Sequence, residues 1–270
     1  MSLLDEDTAA IYGYDADDTD ITGSNWTITN LVEGPELIAP GQGFFVSSKD
    51  PSASLQFTPA LQVVGASDDF IQGRSSNTTD FMKIKATTYS KSYATSIYFH
   101  VNGSTGLDIG YDAAIFGGNA PQFALYSHLV QDNEGVPMAI QTLNTDGINA
   151  IVIPLGLNAN AGEQVVISLG DFNVPANTEV YLEDNTDNSF TLLTTAAYNF
   201  VPNTNLNGTG RFFLHFSANV LATEAANFKG INIYTDQTER TIIIEGTFVN
   251  KTEAFIYDML GRKVKQYALD

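Results

Sequence analysis

The chain has 270 residues, no cysteine, and 31 Asp/Glu against 12 Lys/Arg, for a formal net charge of −19. That length buries a sizeable core without covalent staples, and the missing cysteines exclude disulfides, thiol nucleophiles and Cys-type zinc sites. The acidity repels nucleic acid and anionic headgroups, so neither is expected as a partner, and without an apolar run of roughly 18 residues no membrane insertion is expected.

The acid is uneven. Residues 1–229 hold 25 Asp/Glu against seven Lys/Arg, whereas residues 230–270 are nearly balanced. Abundant Tyr, Phe, Thr, Val and Ile, broken by Asn/Gly/Asp clusters, make the composition β-type. Met1-Ser2-Leu3-Leu4-Asp5-Glu6-Asp7 lacks the basic start and apolar centre of a signal peptide. If the protein is exported, this chain is expected to be a C-terminal piece with its signal upstream.

Residues 9–15 and 25–30 read as strands around an acidic loop carrying Asp15, Asp17, Asp18 and Asp20. Alternate carboxylates on a loop can converge on a hard cation, so a structural Ca²⁺ is the one cofactor the sequence offers. The loop lacks the glycine and terminal glutamate of an EF-hand, and a solvated turn is the plainer reading. Tyr12, Tyr14 and Trp26 cluster beside it. They are candidates for glycan contact by stacking on sugar rings, set against ordinary packing. The turn Pro40-Gly41-Gln42-Gly43 then delivers the apolar run Phe44-Phe45-Val46, and residues 55–58 are expected to pair nearby. Residues 1–75 can be read as a separate lobe.

From residue 80 the alternation predicts strands over 81–88, 96–102, 123–130, 137–143 and 150–154. Further strands are predicted over 163–169, 179–183, 190–194 and 211–217, with turns at Asn102-Gly103, Gly117-Gly118, Asp146-Gly147 and Asn207-Gly208. No capped helix pattern appears. The expected fold is all-β: a jelly-roll-like β-sandwich body over residues 1–222.

Catalytic patterns are weak. His100, His128 and His215 stand singly on separate strands without metal-site spacing. Asn102-Gly103-Ser104-Thr105-Gly106 lacks the frame of a nucleophile elbow. The neighbouring acids Asp68-Asp69 and Glu183-Asp184 would point to opposite faces of a strand. No catalytic residue is assigned, and the chain is read as not an enzyme.

After the small-residue linker at 223–229, residues 230–270 predict four strands, at 231–234, 241–245, 253–258 and 262–267, of an incomplete Ig-like β-sandwich. The last two form a hairpin about Gly261, with Phe255, Tyr257 and Val264 expected on one face. The run Ile256-Tyr257-Asp258-Met259-Leu260-Gly261-Arg262-Lys263-Val264 resembles the signature of the type A C-terminal sorting domain, which Bacteroidota proteins use for export by the type IX secretion system. The motif positions are Tyr257, Asp258, Leu260, Gly261 and Arg262. This chain departs from that pattern at both ends: Tyr234-Thr235-Asp236 stands where the opening Tyr-Pro-Asn-Pro is usual, and the closing strands after Asp270 are missing. Ile38–Val46 with Leu55–Thr58, the Val180–Asp184 lead-in, and Tyr198–Phe200 with Gly210–Leu214 resemble runs that precede such domains in flavobacterial surface proteins.

The resemblance implies a protein secreted or held at the outer cell surface, with the type IX machinery as a partner. The body is then expected to serve adhesion or surface and filament structure, with glycans or other copies of itself as partners; a neighbouring chain would supply the missing strands. The alternative is an accessory module trailing an upstream polysaccharide-degrading or proteolytic enzyme.

Overall fold

The computed structural model describes residues 4–14, 26–34, 37–64, 79–144, 146, 148–174, 178–218, 232–236, 241–245, 252–257 and 263–269. The chain forms two compact units, Met1–Asn219 and Val220–Asp270. Apart from three short 3-10 segments, all regular structure among the described residues is strand.

The first unit opens with β1 (Ile11–Tyr14), β2 (Trp26–Thr29) and β3 (Phe44–Phe45), in the order β2-β1-β3. Tyr12 stands opposite both Ile28 and Phe45, and Tyr14 opposite Trp26. Directly opposed residues share a face, so these five side chains lie together. The part of that face around Tyr12 is covered, where Ala10, Tyr12 and Val32 pack with Tyr98, Ala113 and Ile140 of the body, while Tyr14 and Phe45 at its margin stay exposed. Residues 55–58 form no strand, and Phe57 is 70% exposed. Pro59, which has no N–H, ends that run by starting a 3-10 turn.

The body holds β4 (Asp80–Thr87), β5 (Ser92–Phe99), β6 (Ala113–Ala114), β7 (Ala124–Ser127), β8 (Met138–Leu143) and β9 (Val152–Asn158). It continues through β10 (Val165–Asn173), β11 (Thr178–Asp184), β12 (Ser189–Leu192), β13 (Tyr198–Phe200) and β14 (Phe212–Ala218). The fold is sandwich-like and all-β, as the alternation predicts. Its strands follow one continuous path, β12-β11-β14-β9-β7-β8-β5-β4-β10-β13, with β6 added on β8. Strand twist curls so long a sheet upon itself, and the 11 strands nearly close into a barrel. Alternate residues fill it: Met82, Ile84 and Ala86 of β4, Val180 and Leu182 of β11, Phe212, Leu214 and Phe216 of β14. Each large buried side chain contributes about 1.5–3 kcal/mol.

β5 and β8 are the one parallel pair on this path, so a long connection must join them. It is pinned in two places. The wholly buried Asp112 carboxylate accepts the Asp108 amide at 2.7 Å and the Thr142 amide at 2.6 Å. Gly103 lies flat on the Leu143 backbone, where an added Cβ would stand 2.6 Å from the carbonyl carbon.

Gln141 of β8 is fully buried, yet among the described residues neither its amide nitrogen nor its amide oxygen has a hydrogen-bond partner. A buried unpaired amide costs about 1–3 kcal/mol. Gln141→Met, close in volume and apolar, should therefore stabilise the protein by about 1–2 kcal/mol in a urea titration. A loss of stability would mean that an ordered water satisfies the amide.

The second unit contains two antiparallel hairpins: β15 (Asn232–Asp236) with β16 (Thr241–Glu245), and β17 (Thr252–Tyr257) with β18 (Lys263–Leu269). In the second, Ile256 opposes Lys265 and Tyr257 opposes Lys263. Val264 is thus the extra residue of a bulge rather than a direct partner of Tyr257. On β18 the Lys265 ammonium sits 5.0 Å from the Tyr267 ring centre, the i, i+2 spacing of one strand face. Of the motif positions Tyr257 lies in β17; Asp258, Leu260, Gly261 and Arg262 lie outside the described residues.

Candidate functional site

The aromatic residues of the opening sheet separate into a core and a rim. Tyr12 is 2% exposed and donates its hydroxyl to the Ala114 carbonyl at 2.9 Å. Burial pushes that hydroxyl well above its ordinary pKa. The expectation of glycan contact at Tyr12 is therefore corrected: its burial against Tyr98, Ala113 and Ile140 makes it an anchor between sheet and body. Tyr14 and Phe45 are 56% and 55% exposed. Between them stands Trp26, with ring centres 5.2 Å from Tyr14 and 5.5 Å from Phe45, both edge-on. Trp26 is stacked on Phe116 at 3.7 Å and 18° between planes. Phe116 begins a 3-10 turn whose next residue, Gly117, has φ +76°, a conformation glycine adopts cheaply.

The structure thus brings Tyr14 and Trp26 together and adds Phe45 and Phe116. Phe45 was legible only as part of an apolar run. Phe116 carried no local signal, because it enters the rim through a turn some 90 residues further along the chain. The rim has a rigid floor, two exposed rings and one phenolic hydroxyl, which suits stacking against the apolar face of a sugar ring. The expected Ca²⁺ ligands Asp15, Asp17, Asp18 and Asp20 follow Tyr14 directly and lie outside the described residues. Among the described residues no group of three or more His, Asp or Glu side chains is assembled for a metal.

A second constellation sits where the barrel remains open, between β12 and β13. Asp184, at the end of β11, is 1% exposed. The Arg211 guanidinium grips it with Nε at 3.0 Å from both oxygens and Nη2 at 2.7 Å from Oδ2. The Tyr198 hydroxyl of β13 donates to Asp184 at 2.7 Å, and the Thr186 amide donates at 2.9 Å. The guanidinium carbon also lies 4.6 Å from the Phe200 ring centre and 4.9 Å from that of Phe212. Burial alone would raise the Asp184 carboxyl, but its hydrogen bonds to Arg211, Tyr198 and Thr186 outweigh it and hold the group below its usual value. Both Asp184 oxygens are occupied by protein donors from β13, from the turn after β11 and from Arg211, so the cluster reads as a side-chain clamp across the seam.

The histidines are not brought together. The His100 ring stacks on Tyr111, His128 meets Asn133 Nδ2 at 3.2 Å, and His215 Nε2 lies 2.6 Å from Glu183 Oε2 beneath the Phe190 ring. Burial lowers the pKa of His128. Glu183 and Asp184 face opposite sides of β11, one toward His215 and the other into the clamp.

Neither the curated proteins nor the solved structures contain a match to the chain. A family model does match, over residues 6–216, from just ahead of β1 into β14. With most of its length covered in this way, the chain belongs to the family described as Domain of unknown function (DUF8693).

Proposed function

We propose that this chain is the non-catalytic, glycan-contacting part of an exported surface protein, delivered by the type IX secretion machinery. The observation that carries the contact role is the rim of Tyr14, Trp26 and Phe45, with two large rings held half in water over a stacked floor. The resemblance of Tyr257, Asp258, Leu260, Gly261 and Arg262 to the sorting signature supports the delivery role. A net charge of −19 supports a soluble module directed at uncharged surfaces rather than anionic ones.

One experiment addresses both roles. The chain is placed behind a signal peptide in a type IX-competent host, and surface display is measured together with retention of insoluble neutral polysaccharide. Deletion of residues 230–270 should abolish display. The double variant Tyr14→Ala/Phe45→Ala should leave display intact and weaken retention about tenfold, near 1.4 kcal/mol. Display without the tail would sink the delivery role, and unchanged retention by the double variant would sink the contact role.

A further inference from the structure

We infer that the body carries a second, independent ligand site: a neutral cleft that takes one hexose- or pentose-sized unit of an uncharged carbohydrate. The cleft lies where the end of β9 meets two loops and opens to solvent, with a volume of about 300 Å³, the lower end of the range for small-molecule sites. Five carboxamides line it: Gln122, Asn158, Asn160, Asn205 and Asn207. Among the described residues no charged side chain lines it, on a protein with 31 acidic residues.

Carboxamides are suited to this task. Each presents a donor and an acceptor side by side, and vicinal sugar hydroxyls offer the same pair in return. The amides here divide into those that build the cleft and those left to bind. Asn158 builds: it donates to the Pro121 carbonyl at 2.8 Å and accepts the Gly208 amide at 3.2 Å, tying both loops to β9. The reciprocal bridge between Ala159 and Leu206, at 3.1 and 2.8 Å, fixes the opposite wall. Asn205 gives only its oxygen, to the Ala161 amide at 2.9 Å. Gln122 gives only its nitrogen, to Asn160 Oδ1 at 3.4 Å. Among the described residues the side chain of Asn207 has no partner.

The cleft therefore presents the Asn205 amide hydrogens, the Gln122 carbonyl and the whole Asn207 carboxamide on walls already held in place. Pre-formed walls spare a ligand the ordering cost that weakens most small sites. The size argues for a single ring rather than an extended peptide, which needs a row of groups at strand spacing. The surrounding acidity selects against uronic acids and other anions.

The test is side-chain amide NMR on the full chain. Glucose, galactose, mannose and xylose are titrated, with glucuronate and acetamide as controls. At least one neutral sugar should shift the Asn205 and Asn207 amide signals with a Kd of about 1–10 mM, as expected for one ring. Glucuronate should bind at least tenfold more weakly. Asn207→Ala/Gln122→Ala, which keeps the Asn158, Asn205 and Ala159–Leu206 bonds and removes from the walls only the long Gln122–Asn160 contact at 3.4 Å, should weaken binding about tenfold, whereas the rim variant Tyr14→Ala should leave it unchanged. The inference is overturned if no sugar shifts those signals at 100 mM. It is equally overturned if acetamide or glucuronate shifts them as strongly, or if the cleft variant binds like the parent. Rim and cleft variants act on separate sites, so failure here and failure of the rim reading are distinguishable.

Discussion

Arg211→Met is expected to lower the free energy of unfolding by about 3–5 kcal/mol, the usual cost of removing one partner of a buried ion pair. Without the guanidinium, Asp184 retains only the Tyr198 hydroxyl and the Thr186 and Asp187 amides, at 2.7, 2.9 and 3.4 Å, in a site 1% exposed. Phe200 and Phe212 also lose the cation lying between them. The position matters as much as the pair. The backbone ladder of the barrel is open between β12 and β13, and Tyr198 of β13 reaching Asp184 of β11 ties the seam by side chains instead. Trp26, the single tryptophan, lies in the same unit and reports its unfolding in urea. The double variant Arg211→Met/Asp184→Leu should recover part of the loss, because it leaves no unpaired buried charge. A loss below about 1 kcal/mol for Arg211→Met would place the pair with solvated surface bridges and refute the clamp.

This clamp also marks how far sequence reading reaches. The runs Val180–Asp184, Tyr198–Phe200 and Arg211–Leu214 stood out as wording, but Asp184 and Arg211 are 27 positions apart along the chain. Only the return of β14 beside β11 brings them to one point. Strands with strict alternation were legible to within a few residues: the run at 81–88 is β4, 179–183 is β11 and 211–217 is β14. β5 begins at Ser92 rather than residue 96, because its first half mixes small and polar residues that hide the period. β6 is two buried alanines and has no period at all. The rim failed in the opposite sense. Composition and proximity grouped Tyr12 with Tyr14 and Trp26, but which ring is covered depends on where the sheet docks. That is decided by Tyr98, Ala113 and Ile140, far along the chain.

The stability of the first unit should fall as pH rises from 5 to 8, and Asp112 is the reason. Its carboxyl is fully buried, and burial pushes its pKa up to about 7 even though the Asp108 and Thr142 amides pull it down. In the unfolded chain the group ionises near its ordinary value of 3.8. Between those two values the folded state binds the additional proton, so Asp112 stabilises fully below pH 3.8 and that contribution is lost as pH climbs through 7. Over pH 5 to 8 the loss amounts to about 3 kcal/mol. Asp184 has the opposite sign: its carboxyl is held low, so its contribution is present above 3.8 and disappears only as pH falls through its depressed value. The two groups therefore titrate on separate sides of pH 3.8 and do not mask each other. Asp112→Asn isolates the first. It keeps the shape but replaces one acceptor with a donor aimed at a backbone N–H, at a pH-independent cost of about 1–3 kcal/mol. The variant should be clearly weaker than the parent at pH 5, and the gap should close by about 3 kcal/mol at pH 8. The sequence pI of about 4.2 sets the lower limit of the titration, since solubility falls there. A gap that stays constant from pH 5 to 8 would mean that the two short amide bonds, at 2.7 and 2.6 Å, keep Asp112 ionised throughout and that burial is the smaller effect.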